Sequence, residues 1–135
     1  MAGYLIDSHI FLWAVESPKK LSAAEQSFLT DPRHDIAVSV ASLWELSIKI
    51  SIGRLAISRQ ARSIPPDHFG RSASDVGVRI LSVEAHDAEY VRQLPWIHKD
   101  PFDRLIIAQA LSGGRMIITR DGIFANYPGV QVFVP

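Results

Sequence analysis

Four acids stand where carboxylate chemistry is possible: Asp7, Glu45, Asp103 and Asp121. Asp7 directly follows the apolar run Gly3-Tyr4-Leu5-Ile6, and Asp121 follows Met116-Ile117-Ile118-Thr119 with only Arg120 between. Asp103 lies in the first turn of a helix announced by Asp100-Pro101-Phe102, and Glu45 on a helix that follows Ile36-Ala37-Val38-Ser39. If the runs are parallel strands, all four acids fall at one rim, beyond the carboxyl ends where α/β sheets place their ligands. Carboxylates gathered there repel, so some hold a proton or a cation is shared. Oxygen donors are hard ligands, which favours Mg2+ or Mn2+.

Each acid alone has an ordinary structural explanation. Asp7 suits the N-cap of the following helix. Asp103 would close a capping box opened by Asp100, with Pro101 in the first helical position. Asp121 before Gly122 is a turn signal. Glu45 completes a Ser42-x-x-Glu45 box, yet it sits between Trp44 and Leu46 on an apolar helix, where a carboxylate needs a partner. None of these explanations accounts for the joint placement.

The elements that must position the acids alternate along the chain. Strands are expected at Gly3–Ile6, Ile36–Ser39, Val78–Val83 and Met116–Thr119, with a closing strand at Val130–Val134. Helices are expected at His9–Val15, from the Ser22-x-x-Glu25 capping box to Leu29, after Ser39 through Leu43, Leu46 and Ile50 to before Gly53, over Asp67–Val76 and Glu84–Leu94, and from Asp100 to Gly113-Gly114, with a short one at Ile123–Asn126. Short continuous apolar strands between helices imply a sheet buried on both faces. The expected fold is therefore a three-layer α/β/α sandwich with a central, mostly parallel sheet, a single domain over residues 1–135.

Composition sets the outer limits. With 47% hydrophobic and 21% charged residues the chain is an ordinary globular one, and the absence of cysteine excludes disulfide scaffolds, thiolate zinc sites and cysteine nucleophiles. A cytoplasmic address follows as an expectation, with no secretory signal and no membrane span. Lys+Arg and Asp+Glu balance at 14 each, so no global field attracts nucleic acid. Locally, Lys49, Arg54, Arg59, Arg62 and Arg71 face only Asp67, a stretch able to seat phosphates if a site lies beside it.

Taken in order, Leu5-Ile6-Asp7-Ser8, Leu43-Trp44-Glu45-Leu46, His98-Lys99-Asp100-Pro101-Phe102-Asp103-Arg104-Leu105 and Ile117-Ile118-Thr119-Arg120-Asp121 resemble the PIN-domain ribonucleases of the VapC toxin type. The resemblance spans essentially the whole chain; its most specific parts are the His-x-Asp-Pro-Phe-Asp-Arg run and Thr-x-Asp. It implies a PIN-like fold and a metal-dependent endoribonuclease, the toxin of a type II toxin–antitoxin pair. On that resemblance Asp7, Glu45, Asp103 and Asp121 hold one or two divalent ions, with Ser8, Thr119, His98 and Arg104 supporting them. RNA is the implied substrate, with Lys49, Arg54, Arg59 and Arg62 as candidate contacts. A VapB-type antitoxin and a homodimer are the implied partners, and a groove formed by Phe11, Leu12, Trp44 and Ile48 is the expected place for the antitoxin.

Other chemistries find less support. Aspartyl-phosphate chemistry needs a second acid close to Asp7, and Asp7-Ser8-His9-Ile10 supplies none. Gly113-Gly114 lacks the lysine of a phosphate loop, the five histidines form no HExxH, and no Gly-x-Ser-x-Gly elbow occurs. The serious rival is non-catalytic: the same rim binding a cation or a partner's arginine as a regulatory module.

Overall fold

The computed structural model describes residues 3–55 and 64–135; the candidate RNA contacts Arg59 and Arg62 lie outside the described residues. Four short strands, β1 (Tyr4–Ile6), β2 (Ile36–Ser39), β3 (Arg79–Leu81) and β4 (Met116–Ile118), form a parallel sheet in the order β3-β2-β1-β4. Among the described residues six helices cover it: α1 (Ser8–Glu16), α2 (Ala23–Thr30), α3 (Val40–Ser51), α4 (His68–Asp75), α5 (Ala85–Tyr90) and α6 (Pro101–Gly113).

The strand pleat divides the core in two, because successive side chains point to opposite faces. Ile6, Val38 and Ile118 pack with Ile10 and Phe11 of α1, Leu46 of α3 and Phe69 of α4. Their neighbours Leu5, Ala37 and Ile117 pack on the other face with Ile106, Ile107 and Ala110 of α6 and with Phe124 and Tyr127. The three-layer α/β/α architecture expected from the apolar strands is thus the one observed.

The strand order fixes where a ligand can enter. The chain leaves β1 toward β2 on one side, whereas β4 adds on the other, so the crevice of an α/β sheet falls at the carboxyl ends of β1 and β4. Ile6 is in register with Ile118, which sets Asp7 beside Thr119.

Three expectations are corrected. The closing strand Val130–Val134 reduces to one parallel bridge, Ile117 to Val132. The cause is the alternation of backbone groups: the ends of β4 face β1, with Met116 N donating to Gly3 O (3.1 Å) and Ile118 O accepting from Asp7 N (3.2 Å). That leaves Ile117 to bond outward, to Gln131 O (2.9 Å) and Phe133 N (2.8 Å). The helix expected over Glu84–Leu94 closes at Tyr90 and tightens into a 3-10 turn, Val91–Gln93, ahead of Pro95. The short helix at Ile123–Asn126 is a 3-10 turn, Phe124–Asn126.

Gly3 is required for a steric reason. A Cβ there would lie 2.9 Å from Asp35 O, 2.6 Å from Asp35 Oδ2 and 2.5 Å from Arg115 Nη1. Since the first of these is backbone, Gly3→Ala is expected to lose about 1–2 kcal/mol by overpacking, seen as a lower melting midpoint. An unchanged midpoint would show that the Tyr4 N to Asp35 O connection yields freely.

Candidate active site

The chain turns from β1 into α1 at Asp7, whose extended backbone (φ −77°, ψ 174°) makes it the N-cap. Its Oδ1 accepts from Ile10 N at 2.8 Å, so the capping role expected of an isolated Asp7 is real. Its Oδ2 accepts from Thr119 Oγ1 at 2.5 Å. Thr119 Oγ1 itself accepts from Asp121 N at 3.0 Å, while Asp121 Oδ1 accepts from Ile123 N at 3.0 Å, closing the turn. Asp7 and Asp121 therefore line one cavity of about 220 Å³ together with His9, Trp13 and Arg120. Burial pushes the Asp7 carboxyl above the usual carboxylate range, and the Asp121 charge adds to the rise against the opposing Thr119 and Ile10 hydrogen bonds.

The other two acids meet from α3 and α6. Glu45 is buried; its Oε1 accepts from Ser8 Oγ at 2.6 Å and its Oε2 pairs with Lys49 Nζ at 2.9 Å, one turn along the helix. The Ser42 box expected for Glu45 does not form. The α3 cap is Ser39, whose Oγ accepts from Ala41 N (3.0 Å), and Ser42 is a buried hydroxyl without a partner among the described residues. Asp100 caps α6 by accepting from Phe102 N and Asp103 N (2.9 and 3.0 Å). Burial pushes the Asp103 carboxyl up to about 6; the Asp100 and Glu45 charges add to this, and the contact with His98 opposes it.

The rim therefore holds two pairs, Asp7 with Asp121 and Glu45 with Asp103. Ser8, next to Asp7 in sequence, ties the first pair's helix to Glu45. Among the described residues no three His, Asp or Glu side chains converge on one point, so the pairs do not form a ready-made cage. A hard divalent cation needs none: Mg2+ keeps several waters and binds through one or two carboxylates. The donors are all oxygen, and desolvation, with the neighbouring carboxylates adding to it, raises both Asp7 and Asp103. The residues fit such an ion.

The supporting residues divide as follows. Ser8 and Thr119 touch the acids directly. His98 Nε2 lies 3.2 Å from Asp103 Oδ2. Arg104 does not reach the rim. Its buried guanidinium binds the carbonyls of Pro95 (2.8 Å), Val91 and Leu94 (both 3.3 Å) and stacks under Trp96 at 4.1 Å. Lys49 and Arg54 line an open cavity of about 450 Å³ with Lys99 and Asp100 beside Glu45. The expected apolar groove is half right. Phe11 and Leu12 are core residues, because both point at the sheet, while Trp44 and Ile48 are exposed and Trp44 meets Phe102 edge-on at 5.2 Å.

Two participants carry no signal in the sequence. Tyr127 bonds both His98 and Arg104 across 29 and 23 residues. Arg120, next to Asp121, turns away from it: its guanidinium lies over Trp13 at 4.8 Å, pairs with Glu25 and holds that carboxyl below its usual range.

A family model described as PIN domain matches residues 4–130. The chain belongs to the PIN domain family. No curated protein sequence matches it. Among solved structures, this PIN domain is similar to VapBC2 from Rickettsia felis bound to a DNA fragment from their promoter (TM-score 0.68, 17% identity, 96% of each chain). It is also similar to DNA-bound VapBC from Salmonella typhimurium (0.68, 17%, 98% of each chain). A third is FitAcB from Neisseria gonorrhoeae (0.65, 20%, 98% of this chain and 97% of that one). At these identities the likeness is one of fold.

The Asp103 carboxyl of this PIN domain yields a prediction whose sign is fixed. Its folded pKa, about 6, exceeds the ordinary 3.8, so the folded state resists ionisation. The associated stability is intact below pH 4 and is lost as pH rises toward 6. Asp103→Asn, whose Oδ1 still accepts from His98, removes that loss. Without added cation, its melting midpoint should match wild type near pH 4 and exceed it by a few degrees above pH 6. A constant difference across that range would contradict the assignment.

Proposed function

We propose that this PIN domain, a single domain over residues 1–135, is a divalent-cation-dependent endoribonuclease acting as a VapC-type toxin in the cytoplasm. The observation that carries the reading is the placement of Asp7, buried and bonded to Thr119, beside Asp121 at the carboxyl ends of the paired strands β1 and β4, with Glu45 and Asp103 reaching the same rim from α3 and α6. Family membership and the VapBC-like fold support it.

Asp7, Asp121, Glu45 and Asp103 would hold Mg2+ or Mn2+. When bound, the cation supplies Lewis acidity toward a phosphoryl oxygen and lowers the pKa of water. The chain does the rest. Thr119 fixes one oxygen of Asp7, and Ser8 with Lys49 fixes Glu45, so the carboxylates meet the substrate already oriented. A water oxygen attacks phosphorus, its proton passes to Asp103, and the bond to the departing ribose oxygen breaks as that oxygen takes a proton from solvent. Lys49, Arg54, Arg59 and Arg62 would contact RNA phosphates and fix register, with Lys99 beside them.

The partners follow the same logic. A VapB-type antitoxin is supported by the similarity to VapBC complexes. A homodimer is supported by Val40, Trp44, Ile48 and Ile52, which form one exposed apolar stripe along and just past α3. No described helix is long and apolar enough to cross a membrane.

The same oxygen donors, Asp7 with Asp121 and Glu45 with Asp103, would equally serve a second reading, a module that binds a cation or a partner's arginine without cutting. Incubating the antitoxin-free protein with total cellular RNA in Mn2+, beside an EDTA control, separates them. Discrete fragments that require Mn2+ support the nuclease. Mn2+ binding in calorimetry without any cleavage supports the module.

A further inference from the structure

Tyr127 lies near the carboxyl end of the chain, is 1% exposed, and has no part in the acidic motifs. Its hydroxyl nevertheless sits at the centre of a polar network inside an apolar layer, and the donor inventory of its neighbours assigns every proton. Arg104 is a donor only. Its Nη1 lies 3.1 Å from Tyr127 Oη, so the phenol oxygen accepts there. The backbone N–H of His98 also points at this oxygen, at 3.4 Å. The phenol has a single hydrogen, and the remaining partner is His98 Nδ1 at 2.6 Å. Tyr127 therefore donates to Nδ1, and Nδ1 carries no proton. In the neutral ring the proton is then on Nε2, which lies 3.2 Å from Asp103 Oδ2 and donates to it.

We infer that Tyr127 is a positioning residue for Asp103: with Arg104 behind it, its hydroxyl selects the His98 tautomer that holds one carboxylate oxygen of Asp103. Only that tautomer offers Asp103 a donor; the other presents a lone pair to a carboxylate and repels it. The network also accounts for the spacing of the His98-Lys99-Asp100-Pro101-Phe102-Asp103-Arg104 run. His98 and Arg104 both end on the same phenol oxygen, one through an acceptor and one through a donor, and Asp103 lies between them in sequence. Arg104 is anchored in turn by the carbonyls of Pro95, Val91 and Leu94, so the phenol oxygen meets a fixed cation. Partners of this kind, behind a metal-binding carboxylate, typically set affinity by roughly 10–100-fold. The affinity consequence rests on reading Asp103 as a cation ligand; the tautomer does not.

Long-range 1H–15N correlation spectra of histidine-labelled, cation-free protein test the inference directly, with His98 assigned by its loss in His98→Gln. Wild type should show the Nε2–H form at His98. Tyr127→Phe, checked for folding by its melting curve, should show a mixture of the two forms and bind Mn2+ roughly tenfold more weakly in calorimetry. A wild-type His98 in the Nδ1–H form would overturn the inference without any variant. So would a folded Tyr127→Phe protein that keeps the pure Nε2–H form. If the tautomer shifts as expected but neither protein binds Mn2+, the positioning role holds and the cation reading of Asp103 fails.

Discussion

Asp7→Asn should abolish RNA cleavage while leaving the fold intact. The expected loss in single-turnover rate is roughly a thousandfold, since about 4 kcal/mol of cation-linked charge stabilisation disappears at tenfold per 1.4 kcal/mol. The fold should survive because the substitution changes charge and little else. An asparagine Oδ1 still accepts from Ile10 N, so the α1 cap is kept. The new amide group meets Thr119 Oγ1, which can accept from it by turning its own hydrogen elsewhere. The lost charge is one that burial already disfavours. A melting midpoint equal to or above that of wild type, with the rate collapsed, is the expected pair of results. Retained cleavage would remove Asp7 from the site. Unfolding would make its role structural.

Arg104→Ala carries the largest expected effect on stability. The guanidinium is 2% exposed and donates to three backbone carbonyls and to Tyr127. Its removal strips the side-chain donor from the Leu94 carbonyl and the second donor from the carbonyls of Val91 and Pro95, which keep the backbone N–H groups of Leu94 and Ile97, and it leaves a void beneath Trp96. A cost on the order of 4 kcal/mol follows from several lost charge-assisted bonds, and a fall in melting midpoint on the order of 15 °C. Arg104→Lys should recover little of this, since one ammonium cannot span carbonyls that a planar fork reaches together. A surface arginine that gripped RNA would behave in the opposite way, with an unchanged midpoint and weaker substrate binding. Thermal melts of the two variants distinguish these outcomes.

The contrast between Asp7 and Arg104 shows what one-dimensional reading can reach. The strands were legible because a sheet buried on both faces demands continuous apolar runs, and Leu5-Ile6, Ala37-Val38 and Ile117-Ile118 supply one residue to each core. Asp7, Thr119 and Asp121 were legible because strand ends in a parallel sheet share one edge. The pairing of the acids was not. Asp100 was legible as the cap of α6, but nothing in Leu43-Trp44-Glu45-Leu46 says that Lys49 will neutralise part of Glu45, or that Glu45 will come near enough to raise Asp103. Tyr127 and the burial of Arg104 were invisible for a related reason: their mutual contact spans 23 residues, and the carbonyls that hold Arg104 come from a preceding turn, which no local pattern encodes. The closing strand failed because backbone group alternation in a three-residue β4 leaves one residue to pair outward.

The central claim is that the acids at the ends of β1 and β4, with those of α3 and α6, share divalent cation. Anomalous diffraction from crystals soaked in Mn2+ tests it most directly. The account predicts a manganese peak at the rim, in contact with Asp7 and at least one of Asp121, Glu45 and Asp103, and no such peak in Asp7→Asn crystals. A rim without manganese at saturating concentration, or a peak that persists unchanged in Asp7→Asn, would contradict it.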